Sequence, residues 1–238
     1  MTRVDLIGGG PGAMLATRRH LKAALAACGV KKPLVAYVGV ASSDNLGFFK
    51  MLQAAFLGTG ARLELARLAR KNASVATARA LLHDAHVIFM SGGDVELGMT
   101  LLRERGVDGD LRALAAAGKP FVGISAGSIM TGERWVRFPG DDESRAETFE
   151  CLGIAPLAMD AHSEDDGWSE LRVLTRLAGK RDPKFVGYGV PSKGRLLVEV
   201  SNGRAKLSAL GAPIARFTLR AGEVVEEAPL APAKSALG

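Results

Sequence analysis

Gly123-Ile124-Ser125-Ala126-Gly127 completes the apolar run that starts at Pro120-Phe121-Val122 and leads into Ser128-Ile129-Met130-Thr131. That order reads as strand, sharp turn, helix. A G-x-S-x-G segment in this setting is a nucleophile elbow. Its serine is held in a strained backbone conformation with the hydroxyl exposed above a sheet, ready for acyl transfer. The same pentapeptide also occurs by chance as a plain Ser/Gly turn, so its meaning depends on the strand, the helix and the partners around it.

Working outward, the chain before the elbow alternates strand and helix. Val4–Ile7, Leu34–Val40 and Val87–Met90 are apolar strands, and Arg62–Leu68 alternates charged and apolar residues as a strand near a sheet edge would. Helical periodicity falls at Ala13–Cys28, Gly47–Leu57, Ser74–Asp84, Val95–Arg105 and Leu111–Ala117. Such alternation implies a mainly parallel sheet covered on both faces. After the elbow come an acidic loop at Gly140-Asp141-Asp142-Glu143-Ser144, a short strand at Leu157–Ala161 and a helix at Trp168–Leu177. From Phe185 the pattern is strands separated by glycine-containing turns, suited to an antiparallel extension. The expected fold class is α/β, a three-layer sandwich with helices on both faces of the sheet. One domain is expected over 1–227. The Pro/Ala-rich tail, 228–238, is expected to be disordered at its end.

Composition narrows the classes. At 238 residues, 47% hydrophobic and 24% charged, the chain suits one large globular domain. Cys28 and Cys151 are its two cysteines, which indicates no disulfide framework and a reducing, cytoplasmic compartment. No apolar run reaches membrane-spanning length, and the N-terminus lacks signal-peptide regions. The net charge of +6 is scattered over helices, and aromatics are 5%, so a solvated surface is expected rather than a nucleic-acid or membrane partner.

A serine nucleophile needs a base. His83 and His86 precede the strand Val87–Met90 and so sit at its N-terminal edge, about 13–17 Å from the edge that carries Ser125. His20 lies within the first helix. His162 follows the strand Leu157–Ala161 and can share the rim with Ser125, which leaves it as the candidate base. Ala126 N–H is one candidate oxyanion donor, and Gly93, in the turn Ser91-Gly92-Gly93-Asp94, is the other. Asp94 is also a candidate N-cap. Gly8-Gly9-Gly10-Pro11-Gly12-Ala13 fits a dinucleotide fingerprint, yet the acid that motif needs after the next strand is missing. No cofactor and no metal are expected. Gly9, Gly10 and Gly92 read instead as walls of the site.

With these pieces assembled, the chain resembles the peptidase E and cyanophycinase family of serine peptidases, whose fold is similar to class I glutamine amidotransferases. Leu6-Ile7-Gly8-Gly9-Gly10, Phe89-Met90-Ser91-Gly92-Gly93-Asp94 with Leu101-Leu102, the elbow at Ser125, and Asp160-Ala161-His162 match family segments in order. The resemblance implies a short-peptide substrate, an Asp-X dipeptide or a β-aspartyl peptide, or alternatively an aspartate–arginine polymer. It also implies an acid after the histidine, where this chain has Ser192 in Gly189-Val190-Pro191-Ser192-Lys193-Gly194. The third catalytic member is therefore open among Asp141, Asp142, Glu143 and Asp160, and a non-catalytic binding protein on the same fold is a further alternative. Arg134, Asp94 and the Ser42-Ser43-Asp44 loop are candidate substrate contacts. An amidotransferase is disfavoured because neither cysteine sits at an elbow. A monomer or homodimer is expected.

Overall fold

The structure is a computed structural model in which residues 1–233 are described. The alternating half consists of β1 (Thr2–Ile7), α1 (Met14–Ala26), β2 (Leu34–Val38), α2 (Leu46–Ala55), β3 (Arg62–Ala66), α3 (Val75–Asp84), β4 (Val87–Met90), α4 (Val95–Glu104), α5 (Asp108–Ala116), β5 (Phe121–Ile124) and α6 (Ala126–Thr131). Helix starts follow local chemistry. The side chains of Asn45, Ser74 and Asp94 accept hydrogen bonds from Phe48, Thr77 and Leu97 N–H respectively, capping α2, α3 and α4.

The second half holds a hairpin, β6 (Arg134–Arg137) and β7 (Glu147–Glu150), then β8 (Ala158–Ala161), α7 (Ser169–Gly179), β9 (Gly187–Val190), β10 (Arg195–Ser201), β11 (Arg204–Leu210), β12 (Ile214–Arg220) and β13 (Glu223–Leu230). The main sheet has the order β11-β10-β1-β5-β4-β2-β3. Its strands β1 to β5 are parallel, and β10 and β11 are antiparallel additions. As expected for a charged and apolar alternation, β3 is the edge.

Alternate residues of each central strand go to opposite layers. Ile7, Tyr37, Phe89 and Ile124 pack under α1 and α2. Leu6, Val38, Met90 and Phe121 pack with α3 to α6 on the other face. That division is the three-layer α/β sandwich.

Three features depart from the sequence expectation. The C-terminal strands do not all extend one sheet, because β12 and β13 join β9 and β8 in a second, four-stranded sheet covered by α7. Period-2 patterning defines a strand but leaves its pairing partner to long-range contacts. The acidic segment is the connection of the β6–β7 hairpin, whose strands the sequence reading passed over. Residues 228–230, assigned to the tail, belong to β13, and Pro232 bridges Ala209. Residues 234–238 lie outside the described residues. Among the described residues no helix is long and apolar enough to cross a membrane, and both cysteines are free.

Candidate active site

Ser125 sits between β5 and α6 with φ 54° and ψ −129°. A non-glycine residue in such a conformation costs about 1–3 kcal/mol, which surrounding structure must enforce. The enforcement is visible. Ser125 N–H reaches Ile7 O at 3.1 Å, and Ser128 Oγ donates to the same carbonyl at 2.9 Å, tying α6 to β1. Gly127 lets α6 approach β4 closely. A Cβ there would stand 2.1 Å from Met90 O.

His162 directly follows β8 and also has positive φ, 49°. Its backbone N–H donates to Val190 O at 2.9 Å. The resulting bend carries the imidazole off the second sheet toward the main sheet's rim. There Nε2 lies 2.8 Å from Ser125 Oγ. Gly10 backs the ring so closely that a Cβ would be 2.9 Å from His162 Cγ.

The other histidines lie away from Ser125. His86 Nδ1 accepts from Leu34 N–H at 3.0 Å, and His83 lies in the last turn of α3. His20 is nearer the rim than its mid-helix position suggested. Its Nε2 is 2.9 Å from Lys193 O, in the loop entering β10, because that loop folds back over α1.

The four candidate acids separate. Asp142 Oδ1 accepts from Ser144 N–H and Oγ, and Glu143 is exposed. Asp141, with φ 56°, lines the cleft beside Ser125. Asp160 lines it too and is 3% exposed. Its Oδ1 accepts from Ala161 N–H at 2.7 Å, while Oδ2 has no partner. Burial pushes the Asp160 carboxyl up to about 7, against the opposing pull of the Ala161 N–H and of the nearby Ser163 hydroxyl, whose hydrogen bond runs to Ala161 O rather than to Oδ2. Among the described residues, none of the four is hydrogen-bonded to His162.

Glu164 is the carboxylate that the sequence reading missed. Its Oε1 accepts from Ser192 N–H at 2.8 Å. Burial works to raise its pKa, but the Ser192 hydroxyl and backbone bonds, and the neighbouring His162, hold it below the usual carboxylate value. A charge from another segment thus stands at the position where the acid was expected. The signal in the sequence was the run Glu164-Asp165-Asp166 two residues beyond His162, together with the serine at 192.

The remaining candidates divide similarly. Gly93 and Ala126 line the cleft with Ser125 and His162. Ala126 is the first residue of α6, so its N–H has no intrahelical acceptor. Gly10 and Gly92 line a second cavity that also reaches Ser125. Gly9 packs against Ile124. Asp94 both caps α4 and lines the cleft. Arg134 lines neither cavity. Side chains alternate along a strand, and it is Arg137, on the other side of the ribbon, that faces the cleft. Asp44 is buried, with Oδ2 accepting from Leu68 and Ala69 N–H at 2.7 Å each, so it anchors a loop rather than a substrate.

Two cavities therefore meet at Ser125 and His162. One, of about 390 Å³, is lined by Asp94, Glu96, Asp141, Asp160 and Glu170 with Arg137 opposite. Arg137 is already paired with Glu96 at 3.1 Å and Glu147 at 2.6 Å. The other, of about 550 Å³, is lined by Pro11, Met14, Phe48, Met51, Leu52 and Ile124. An accessible serine in contact with an imidazole, at the foot of a helix and between two clefts, is equipped for nucleophilic attack on a carbonyl.

Comparison with known proteins agrees with this chemistry. Residues 5–206 match the model of Peptidase family S51. The crystal structure of a peptidase from an acI-B1 Actinobacterium superposes with a TM-score of 0.71 at 18% identity, covering 95% of this chain and 97% of that one. A putative peptidase E protein from Listeria monocytogenes EGD-e superposes with a TM-score of 0.63 at 14% identity, covering 88% and 99%. Both share the fold. No curated protein matches the chain significantly.

Proposed function

The chain belongs to peptidase family S51 and is a serine peptidase, and from that premise we propose that it hydrolyses short peptides with Ser125 as nucleophile and His162 as general base. The 2.8 Å contact between Ser125 Oγ and His162 Nε2 at a strained elbow carries this reading. Family membership sets aside the non-catalytic alternative.

In the proposed reaction Ser125 Oγ attacks the scissile carbonyl carbon while His162 Nε2 takes the hydroxyl proton. Gly93 and Ala126 N–H groups receive the developing oxyanion. The C–N bond then breaks, and His162 returns the proton to the leaving amine. Water, deprotonated by the same imidazole, attacks the acyl carbon, the C–O bond to Ser125 breaks, and His162 returns the proton to Oγ. Glu164, fixed on Ser192 N–H, supplies the negative charge that supports the imidazolium formed in each step.

Two substrate readings follow from the resemblance. An Asp-X dipeptide or β-aspartyl peptide would present its carboxylate to Arg137, which would have to leave Glu96 or Glu147. The carboxylates lining the same cleft favour instead a peptide that brings a positive group, such as the arginine of an aspartate–arginine unit.

The test is hydrolysis of a dipeptide panel by the purified protein and by Ser125→Ala. Release of free amino acids by the former and loss of at least about a thousandfold in the latter are expected. Equal rates in the two proteins would remove Ser125 from the role.

A further inference from the structure

Ser125 and His162 are common to both cavities, so a peptide whose scissile carbonyl reaches Ser125 must send flanking groups into each. The two sides differ in chemistry. On one, Asp94, Asp141, Asp160 and Glu170 face a single arginine that Glu96 and Glu147 already engage. On the other, Met14 and Met51 are 40% and 46% exposed and stand with Phe48 around apolar space.

The acidic side is more than a cluster of surface charge. Asp160 is 3% exposed, lines the cleft and has one oxygen, Oδ2, with no donor. A buried acceptor without a donor is costly and rare in a native fold. A cationic N–H group of a bound substrate would satisfy it and would favour the ionised carboxylate. Burial, with the charges of Asp166 and Asp94, likewise holds Glu170 above its usual value, so a cation relieves the same repulsion there.

We propose that the peptide cleaved here places a cation, an ammonium or a guanidinium, beside Asp160 and Glu170 and an apolar side chain among Met14, Phe48 and Met51. This rests on the peptidase reading above and names the substrate class of that site. A basic–apolar dipeptide satisfies both cavities. An aspartyl dipeptide also brings a carboxylate against the acidic side and, when its second residue is polar, leaves the methionine-lined side unfilled.

The experiment measures kcat/KM for Arg-Leu, Leu-Arg, Arg-Asn, β-Asp-Arg and Asp-Leu. Two arms identify the source of the cation: citrulline in place of arginine, and N-acetyl-Ala-Leu against Ala-Leu. The expected result is that Arg-Leu or Leu-Arg exceeds Asp-Leu and β-Asp-Arg at least tenfold. Removing the cation in one of the two arms should cost at least tenfold, and that difference should shrink to about twofold in Asp160→Asn. Met51→Asp should likewise erase the preference for Arg-Leu over Arg-Asn. Asparagine keeps the acceptor for Ala161 N–H, and circular dichroism checks that both variants fold. Highest turnover of Asp-Leu or β-Asp-Arg, or indifference to both cation arms, overturns the inference and leaves the peptidase reading intact. No turnover of any peptide, with no acylation of Ser125 by an activated ester, overturns that reading and the inference with it.

Discussion

Ser125 and His162 meet at 2.8 Å through two backbone distortions of the same sign, φ 54° at the serine and φ 49° at the histidine. They belong to different sheets, each just past the end of its strand, β5 and β8. The pair is therefore a product of two turns, each anchored by long-range hydrogen bonds: Ser125 N–H to Ile7 O and His162 N–H to Val190 O.

Strain at the elbow is testable without substrate. Ser125→Gly removes the side chain that disfavours positive φ, whereas Ser125→Ala retains a Cβ. The glycine variant is expected to be more stable than the alanine variant by about 1 kcal/mol. Thermal melts of the two proteins side by side check this. Equal midpoints would mean that the backbone relaxes when the hydroxyl is lost.

Gly127 and Gly109 should respond to alanine in opposite directions. A Cβ at Gly127 meets Met90 O at 2.1 Å and Met90 C at 2.4 Å, both main-chain atoms of β4, so α6 must move and Ser125 with it. A loss of several kcal/mol, or failure to fold, is expected. At Gly109, in the first turn of α5, nothing lies within 4 Å. Alanine there should stabilise by about 0.5–1 kcal/mol. Denaturant unfolding of both variants gives the comparison.

Asp160 links stability to pH. Burial raises its carboxyl from 3.8 to about 7, so between those values the native state keeps a proton that the unfolded chain has lost. Its contribution must then fall as pH rises from about 4 to about 7, and level off above. The change amounts to about 4 kcal/mol at the conversion of 1.36 kcal/mol per unit. Asp160→Asn should flatten that part of the profile and be the more stable protein at pH 8. Urea midpoints for both proteins from pH 4 to pH 8 measure the difference. Parallel profiles would show that Asp160 titrates normally.

Glu164→Gln keeps the acceptor for Ser192 N–H and removes the charge. If Glu164 supports His162, kcat should fall about tenfold while KM changes less than twofold, because the imidazolium forms only as the reaction proceeds. A rise in KM alone would place Glu164 in substrate binding instead.

Much of this molecule is written locally in its sequence. Apolar runs of four to six residues, alternating with helical periods, are enough to mark β1, β4, β5 and the helices between them. The G-x-S-x-G spacing marks the elbow, because only glycine at 127 allows a helix to start so close to β4. Strand direction alone separates the edge that carries His83 and His86 from the rim that carries Ser125, and His162 stands out by that argument.

What tertiary structure decided are the properties of side chains whose surroundings come from distant segments. Whether Asp160 supports the histidine or lines a cleft depends on a backbone bend at His162 that no residue pattern announces. Arg137 rather than Arg134 faces the cleft because the phase of β6 is set by its pairing with β7. Glu164 reaches Ser192 across 28 residues of chain, through a parallel pairing of β8 with β9. Backbone conformation is largely a short-range preference, so sequence reports it. The charge, exposure and partners of a side chain are sums over neighbours brought together by packing, so only the folded molecule reports them.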